Sequence, residues 1–69
     1  MEKRFSYVRP RDGRVVDIYS VAREGRVHYV IHDGASHDSV AEDIMAVQAY
    51  CRRLVEEGFV ARPLLPDLS

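Results

Sequence analysis

The sequence predicts an α+β domain in which a three-stranded antiparallel sheet is followed by one C-terminal helix packed on one face (β-β-β-α order). Two glycine-containing turn signals, Asp12-Gly13 and Glu24-Gly25, divide the first half of the chain. Alternating apolar and polar residues flank both signals, as in strands with one buried face. A stripe of apolar residues at helical spacing occupies the second half.

The turn signals fix three strands, because glycine accepts the positive φ of tight hairpins. Closing each turn on two residues places Arg11 opposite Arg14 and Arg23 opposite Arg26, which sets the register of the whole sheet. The third strand is then a predicted sheet edge, open to pairing with a second copy or another protein. The strands are predicted at about residues 4–9, 14–23 and 26–32.

In that register, apolar side chains lie together on one face of the sheet, which the helix is expected to cover. Because side chains alternate along a strand, both turns independently assign the same residues to it. This agreement supports the predicted sheet. The face contains Phe5, Tyr7, Val16, Ile18, Ala22, Val27, Tyr29 and Ile31, with Arg9 and Ser20 as the polar exceptions near its margin.

The helix is predicted over residues 39–58. Ser39-Val40-Ala41-Glu42 fits a capping box, in which the serine hydroxyl accepts from a free amide and the glutamate reaches back. Gly58 supplies the stop, and the prolines beyond it predict an extended tail over residues 59–69. The buried stripe of the helix is Val40, Ile44, Val47, Cys51 and Leu54.

Composition indicates one ordinary globular domain spanning residues 1–69. The chain is 46% apolar and 30% charged, and it has no apolar run long enough to cross a membrane. The strand pattern starts within the first residues, so no signal peptide is expected and the predicted compartment is the cytoplasm. Cys51 is the single cysteine, which fits a reducing compartment and excludes an internal disulfide.

The second face of the sheet is the predicted functional surface, because one helix shields only one side. Its apolar centre would meet a protein partner or a second copy of the chain. In the alternative, the C-terminal leucines Leu64, Leu65 and Leu68 fold over it, or its valines merely reflect strand propensity. The predicted partner-binding residues are Val8, Tyr19, Val21, His28, Val30 and His32.

No residue pattern predicts a catalytic or metal site, and no cofactor is expected. His28 and His32 are separated by about 13 Å along a strand, too far to bind one metal ion, and the register pairs His32 with Asp17. Residues 32–39 gather histidines, aspartates and serines before the predicted helix, where an anion could bind. A solvated connection is the alternative for that segment.

Arginines near the turns offer a rival interpretation, since a three-stranded sheet can enter a DNA groove. The net charge of −1 weighs against strong phosphate binding, although the first 31 residues carry seven Lys and Arg against four Asp and Glu. The candidate nucleic-acid-binding residues are Arg9, Arg11, Arg14, Arg23 and Arg26.

Residues 38–66 resemble the small partner-binding domain of HicB-type antitoxins. The resemblance rests on Asp38-Ser39-Val40-Ala41-Glu42-Asp43 at the predicted helix start, on Leu54-Val55-Glu56-Glu57-Gly58 at its end, and on Pro63 and Pro66. The family's Pro-x-x-Pro-Gly-Cys segment is missing and the helix is about one turn shorter, so no binding residue is carried over. The resemblance implies a domain that binds and neutralises a protein.

These observations together predict a non-enzymatic protein-binding module, an inhibitor or antitoxin-like factor that blocks its partner. This class also includes small phage-encoded antagonists of host defence, such as anti-CRISPR proteins. The small size of the chain and its free binding face agree with such a role. A homodimer through the second sheet face or the edge strand is a further expectation. The alternative is a small DNA- or RNA-binding accessory domain that uses the hairpin arginines.

Overall fold

A computed structural model describes residues 2–34, 37–41 and 43–64. They form one five-stranded antiparallel sheet with the strand order β4-β3-β2-β1-β5 and a single helix. The class is therefore α+β, but the predicted three-stranded sheet is wrong, because one further strand is added at each edge. The elements are β1 (Glu2–Arg9), β2 (Arg14–Arg23), β3 (Arg26–Asp33), β4 (His37–Ala41), α1 (Ile44–Glu56) and β5 (Val60–Ala61).

The hairpin between β2 and β3 has the predicted register. Arg23 lies directly opposite Arg26, and the loop consists of Glu24 and Gly25 alone. Both loop residues have positive φ, at 54° and 74°. Positive φ at both positions is the geometry of the tight turn that matches the twist of the flanking strands.

The hairpin between β1 and β2 differs from the prediction by two residues. Arg9, and not Arg11, lies opposite Arg14, and residues 10–13 form the loop. The Arg9 carbonyl accepts hydrogen bonds from the backbone of Asp12 at 3.3 Å and Gly13 at 2.8 Å. Pro10 has no N–H to contribute to a longer ladder, which favours ending the strand before it. Because side chains alternate with a period of two, this shift leaves most face assignments unchanged.

The segment predicted as the helix start is strand β4. Ser39 pairs with Ile31 of β3, so the predicted helix cap at Ser39 is wrong, as is the placing of β3 at a sheet edge. Glu42, the other member of the predicted capping box, lies outside the described residues. The helix instead begins at Ile44, and the carboxylate of Asp43 accepts the Ala46 N–H at 2.8 Å. Asp43 thereby satisfies one of the free amides of the first turn.

The predicted stop at Gly58 is confirmed. Gly58 has a φ of +93° and its N–H donates to the Val55 carbonyl, while the Phe59 N–H donates to the Leu54 carbonyl at 2.9 Å. This pair of bonds is the Schellman motif, and the contact between its apolar ends buries Leu54 and Phe59. The chain then pairs with β1 through β5.

The core lies between α1 and one face of the sheet. Tyr7, Tyr29, Ala41, Tyr50 and Cys51 pack around it, so Cys51 is a partly buried packing residue as the apolar stripe predicts. Val40 and Ile44 were expected in that stripe but are 67% and 41% exposed. The buried apolar residues are Val16, Ile18, Ile31, Val47, Leu54 and Phe59.

Candidate functional site

The sheet face opposite α1, called the open face below, carries an apolar strip that consists of Tyr19, Val21, Val30 and Val40. Tyr19 lies opposite Val30, and Val30 lies opposite Val40 on the edge strand. Tyr19, Val21 and Val30 are half-buried by their neighbours, while Val40 is 67% exposed. Three strands thus present adjacent apolar side chains that α1 does not cover.

Val8, a predicted member of the same surface, is separated from the apolar strip. It lies opposite Val15 on β2 and Val60 on β5, near the other end of the open face. A row containing Ser6, Asp17 and His32 runs between the two apolar areas. The continuous patch expected from the sequence is therefore divided by polar residues.

The polar row centres on the Asp17 carboxylate. Ser6 Oγ donates to Asp17 Oδ1 at 2.6 Å, and the Nζ of Lys3 lies 3.6 Å from Oδ2. Arg62 donates from Nε and Nη2 to Ser6 Oγ at 3.1 and 3.0 Å, and its Nη2 lies 3.9 Å from Asp17. One carboxylate, one hydroxyl and two cations form a connected network on the open face.

A β-bulge places Lys3 in this network. Lys3 lies opposite Tyr19 and Phe5 lies opposite Ile18, so Arg4 is an extra residue in β1. Without that extra residue, Lys3 would share the helix-covered face of Phe5. The bulge instead turns Lys3 to the open face, where its Nζ lies 5.7 Å from the centre of the Tyr19 ring. No signal in the sequence marks this position.

The two predicted histidines lie on the open face. His28 is opposite Val21 and half-buried, whereas His32 is exposed and lies opposite Asp17 as the register predicts. Within the described ranges, no group of three or more His, Cys, Asp or Glu residues is arranged to hold a metal ion. Residues 35 and 36 of the predicted anion loop lie outside those ranges.

Two of the five candidate nucleic-acid-binding arginines are held in structural contacts. Arg9 binds Asp12 at 2.7 Å and stacks 4.9 Å from the centre of the Phe59 ring, while Arg14 Nε donates to Asp33 at 3.1 Å. The hydrogen bond from Arg9 lowers the pKa of Asp12 to about 2, so this pair is charged at neutral pH.

The other three candidate arginines are Arg11, Arg23 and Arg26, and all three are exposed. Arg23 and Arg26 face each other across the tip of the hairpin, and neither makes an ion pair within the part of the chain that the structure describes. Two like charges directly opposite each other are unfavourable in an isolated sheet. The tip is therefore an exposed cationic feature of the open face.

Comparisons with known proteins give no match for this chain. The chain matches no family model, no curated protein and no solved structure. Among the described residues, no helix is long and apolar enough to span a bilayer.

Proposed function

We propose that this chain is a non-enzymatic protein-binding module that captures its partner on the open face. The apolar strip of Tyr19, Val21, Val30 and Val40 is the observation that carries the proposal, because α1 covers the opposite side of the sheet. Apolar side chains that remain accessible and contiguous on a folded surface usually meet a partner. An aromatic residue beside three valines also fits the composition of binding hot spots.

The mode of action that we propose is inhibition by blocking, as in antitoxins and in small antagonists of host defence. A domain of 69 residues with one binding face is large enough to cover an active or docking surface on a partner. The helix end at Glu57 and Gly58 still resembles that of HicB-type antitoxins and agrees with the same role, whereas residues 38–41 form strand β4 and not the helix start of that resemblance. We place the protein in the cytoplasm, where its single cysteine would stay reduced.

The test is to replace Tyr19 and Val30 with glutamate and to follow partner capture in the native host. Charges at these positions would have to be desolvated in the complex, so capture should fall at least 10-fold. Val55→Glu is the matched control, because Val55 is 59% exposed on α1. Retained capture by the Tyr19 and Val30 variants, with folding intact, would overturn the proposal.

A second copy of the chain is one partner that the open face or the edge strand β4 would accept. The predicted homodimer is tested by light scattering after size exclusion across a range of concentrations. A mass of two chains that returns to one chain in Val30→Glu supports self-association through the apolar strip. A monomer at every concentration directs the search to a different protein.

The second candidate function is nucleic-acid binding, favoured by Arg23 and Arg26, which lie on the same face as Tyr19 and make no ion pair with another described residue. These arginines would contact phosphates while the tyrosine ring stacks on a base. Fluorescence anisotropy with single- and double-stranded oligonucleotides at two salt concentrations tests it. Affinity that falls steeply with salt and is lost in Arg23→Glu would establish this function instead.

A further inference from the structure

A pocket of about 490 Å³ opens on the open face where β1 meets β5. Lys3, Ser6 and Arg62 form its polar wall, and Pro63 and Leu64 form its apolar wall. Leu64 is 42% exposed and is available for contact with a ligand. The pocket lies beside the apolar strip, since Lys3 stacks against Tyr19.

The charges of the described residues around this pocket do not cancel. Lys3 and Arg62 both approach the single carboxylate of Asp17, at 3.6 and 3.9 Å. The two cationic side chains are about half exposed, whereas the Asp17 side chain is only 14% exposed. Among the described residues, the two cations of the pocket wall and the neighbouring Asp17 carboxylate leave one surplus positive charge on the exposed side.

Ser6 holds the Arg62 guanidinium in place without neutralising it. Nε and Nη2 of Arg62, the edge that commonly binds both oxygens of a carboxylate, are directed to the one Ser6 hydroxyl. Ser6 is 4% exposed and donates its own proton to Asp17. The neutral Ser6 hydroxyl thus fixes the orientation of the guanidinium. An anionic ligand would be a stronger acceptor and could replace or supplement these hydrogen bonds.

The neighbouring backbone suits an extended chain. β5 pairs with β1 only at Tyr7 and Val8, and the Arg62 N–H adds one bond to the Ser6 carbonyl at 2.7 Å. Among the described residues, no strand lies on the outer side of residues 2–5. A peptide added along that edge would pass the mouth of the pocket.

We propose that this pocket binds one carboxylate group attached to an apolar residue, supplied by the protein partner. A single negative charge balances the surplus cation, whereas a dianion such as phosphate would be repelled by the neighbouring Asp17 carboxylate. Pro63 and Leu64 supply contact for the apolar portion. The assignment of the carboxylate to a protein partner rests on the proposed function, but the preference for a carboxylate rests on the pocket alone.

The probe is N-acetyl-leucine, followed through the backbone amide signals of the ¹⁵N-labelled protein in a titration. A ligand of this size should bind with a dissociation constant on the order of 1 mM. The shifts should be largest at Ser6, Arg62 and Leu64. N-acetyl-leucinamide, which lacks the charge, and inorganic phosphate should each bind at least about 10-fold more weakly.

Arg62→Gln should weaken N-acetyl-leucine binding about 10-fold or more, and Lys3→Gln should weaken it as well. Arg52→Gln, at an exposed position on α1, is the matched control and should leave binding unchanged. If Arg62→Gln does not fold, Lys3→Gln carries the test. Equal shifts with the amide, tighter binding of phosphate, or unchanged binding in both pocket variants would overturn the proposal.

These outcomes are separable from those of the proposed function. Val30→Glu changes the apolar strip and does not touch the pocket, so it should abolish partner capture while N-acetyl-leucine still binds. Normal capture by Val30→Glu would overturn the proposed function and leave the carboxylate pocket standing. If N-acetyl-leucine does not bind while partner capture still depends on Val30, the carboxylate pocket is overturned and the proposed function stands.

Discussion

The two faces of the sheet are built from the same strands but have different surroundings. On β2, Val16 and Ile18 point to α1 and are 1% and 0% exposed, while the alternating residues Asp17 and Tyr19 point to the open face and stay half-buried. The covered face is apolar and closely packed. The open face combines an apolar strip with a charged network. The contrast indicates that the covered face stabilises the fold and leaves the open face available for binding.

The largest expected difference between the two faces is in the free energy of unfolding that is lost when a side chain is shortened to alanine. Ile18→Ala removes buried methyl groups from the centre of the core and should lower the free energy of unfolding by about 3 kcal/mol. Val30→Ala, on the open face, should cost about 1 kcal/mol or less. Urea denaturation of both variants measures the difference. Equal losses would show that the open face is buried as deeply as the core.

The covered face was predictable because alternation survives errors in the turn. The first hairpin shifted by two residues, from Arg11 to Arg9 opposite Arg14, and every apolar residue of β2 kept its side. The turn at Glu24 and Gly25 was predicted in full. Period-two patterning thus fixes the buried side of a strand more securely than it fixes the partner residue.

The two edge strands were not predictable in the same way. The segment around Ser39 has a capping pattern that is compatible with a helix start. It forms a strand instead, because its backbone pairs with β3. Asp43 offers an equally good cap four residues later. β5 is two residues long, too short for any periodicity, and it depends on the Schellman motif to direct it back to β1.

The charged network of the open face was missed for the same kind of reason. Lys3 enters it through a β-bulge, and Arg62 enters it through β5, 56 residues away from Ser6 in the chain. Neither event leaves a local sequence signal. Tyr19, Val21, Val30, His28 and His32 were assigned to the open face correctly because β2 and β3 pair in the predicted register.

The next effect in size concerns the centre of the open face. Ser6→Ala removes the hydroxyl that donates to Asp17 and accepts from Arg62, leaving a mostly buried carboxylate with one hydrogen bond fewer. The free energy of unfolding should fall by about 1–2 kcal/mol. Ser39→Ala, at an exposed position on β4, is the matched control and should be close to neutral. A neutral Ser6→Ala would show that the network does not stabilise the open face.

A smaller effect is expected at Gly58, which connects the helix on the covered face to β5 and Arg62. An alanine Cβ there would lie 3.9 Å from Arg9, an ordinary contact, so the cost comes from the φ of +93°. Gly58→Ala should lower the free energy of unfolding by about 1 kcal/mol, and Gly58→Asn by less. Thermal melts of both variants check the order, and an alanine variant as stable as the parent would contradict it.

The smallest effect is a pH dependence at the rim of the covered face. The hydrogen bond from Arg9 lowers the pKa of Asp12 from 3.8 to about 2, so the folded state binds this proton more weakly than the unfolded state. The stabilisation from this pair is therefore complete above pH 4 and is lost as the pH falls towards 2. Melting temperatures of the parent and Asp12→Asn should differ slightly at neutral pH and converge at pH 2. A constant difference over this range would exclude the linkage.

Photo-crosslinking in the native host tests the binding role of the open face most directly. A benzophenone amino acid replaces Tyr19 on the open face in one variant and Val55 on α1 in the other, so that both report from accessible positions. We expect a discrete crosslinked protein from position 19, identified by mass spectrometry, and none from position 55. Crosslinks to the same protein from position 55 alone would show that the open face does not bind the partner.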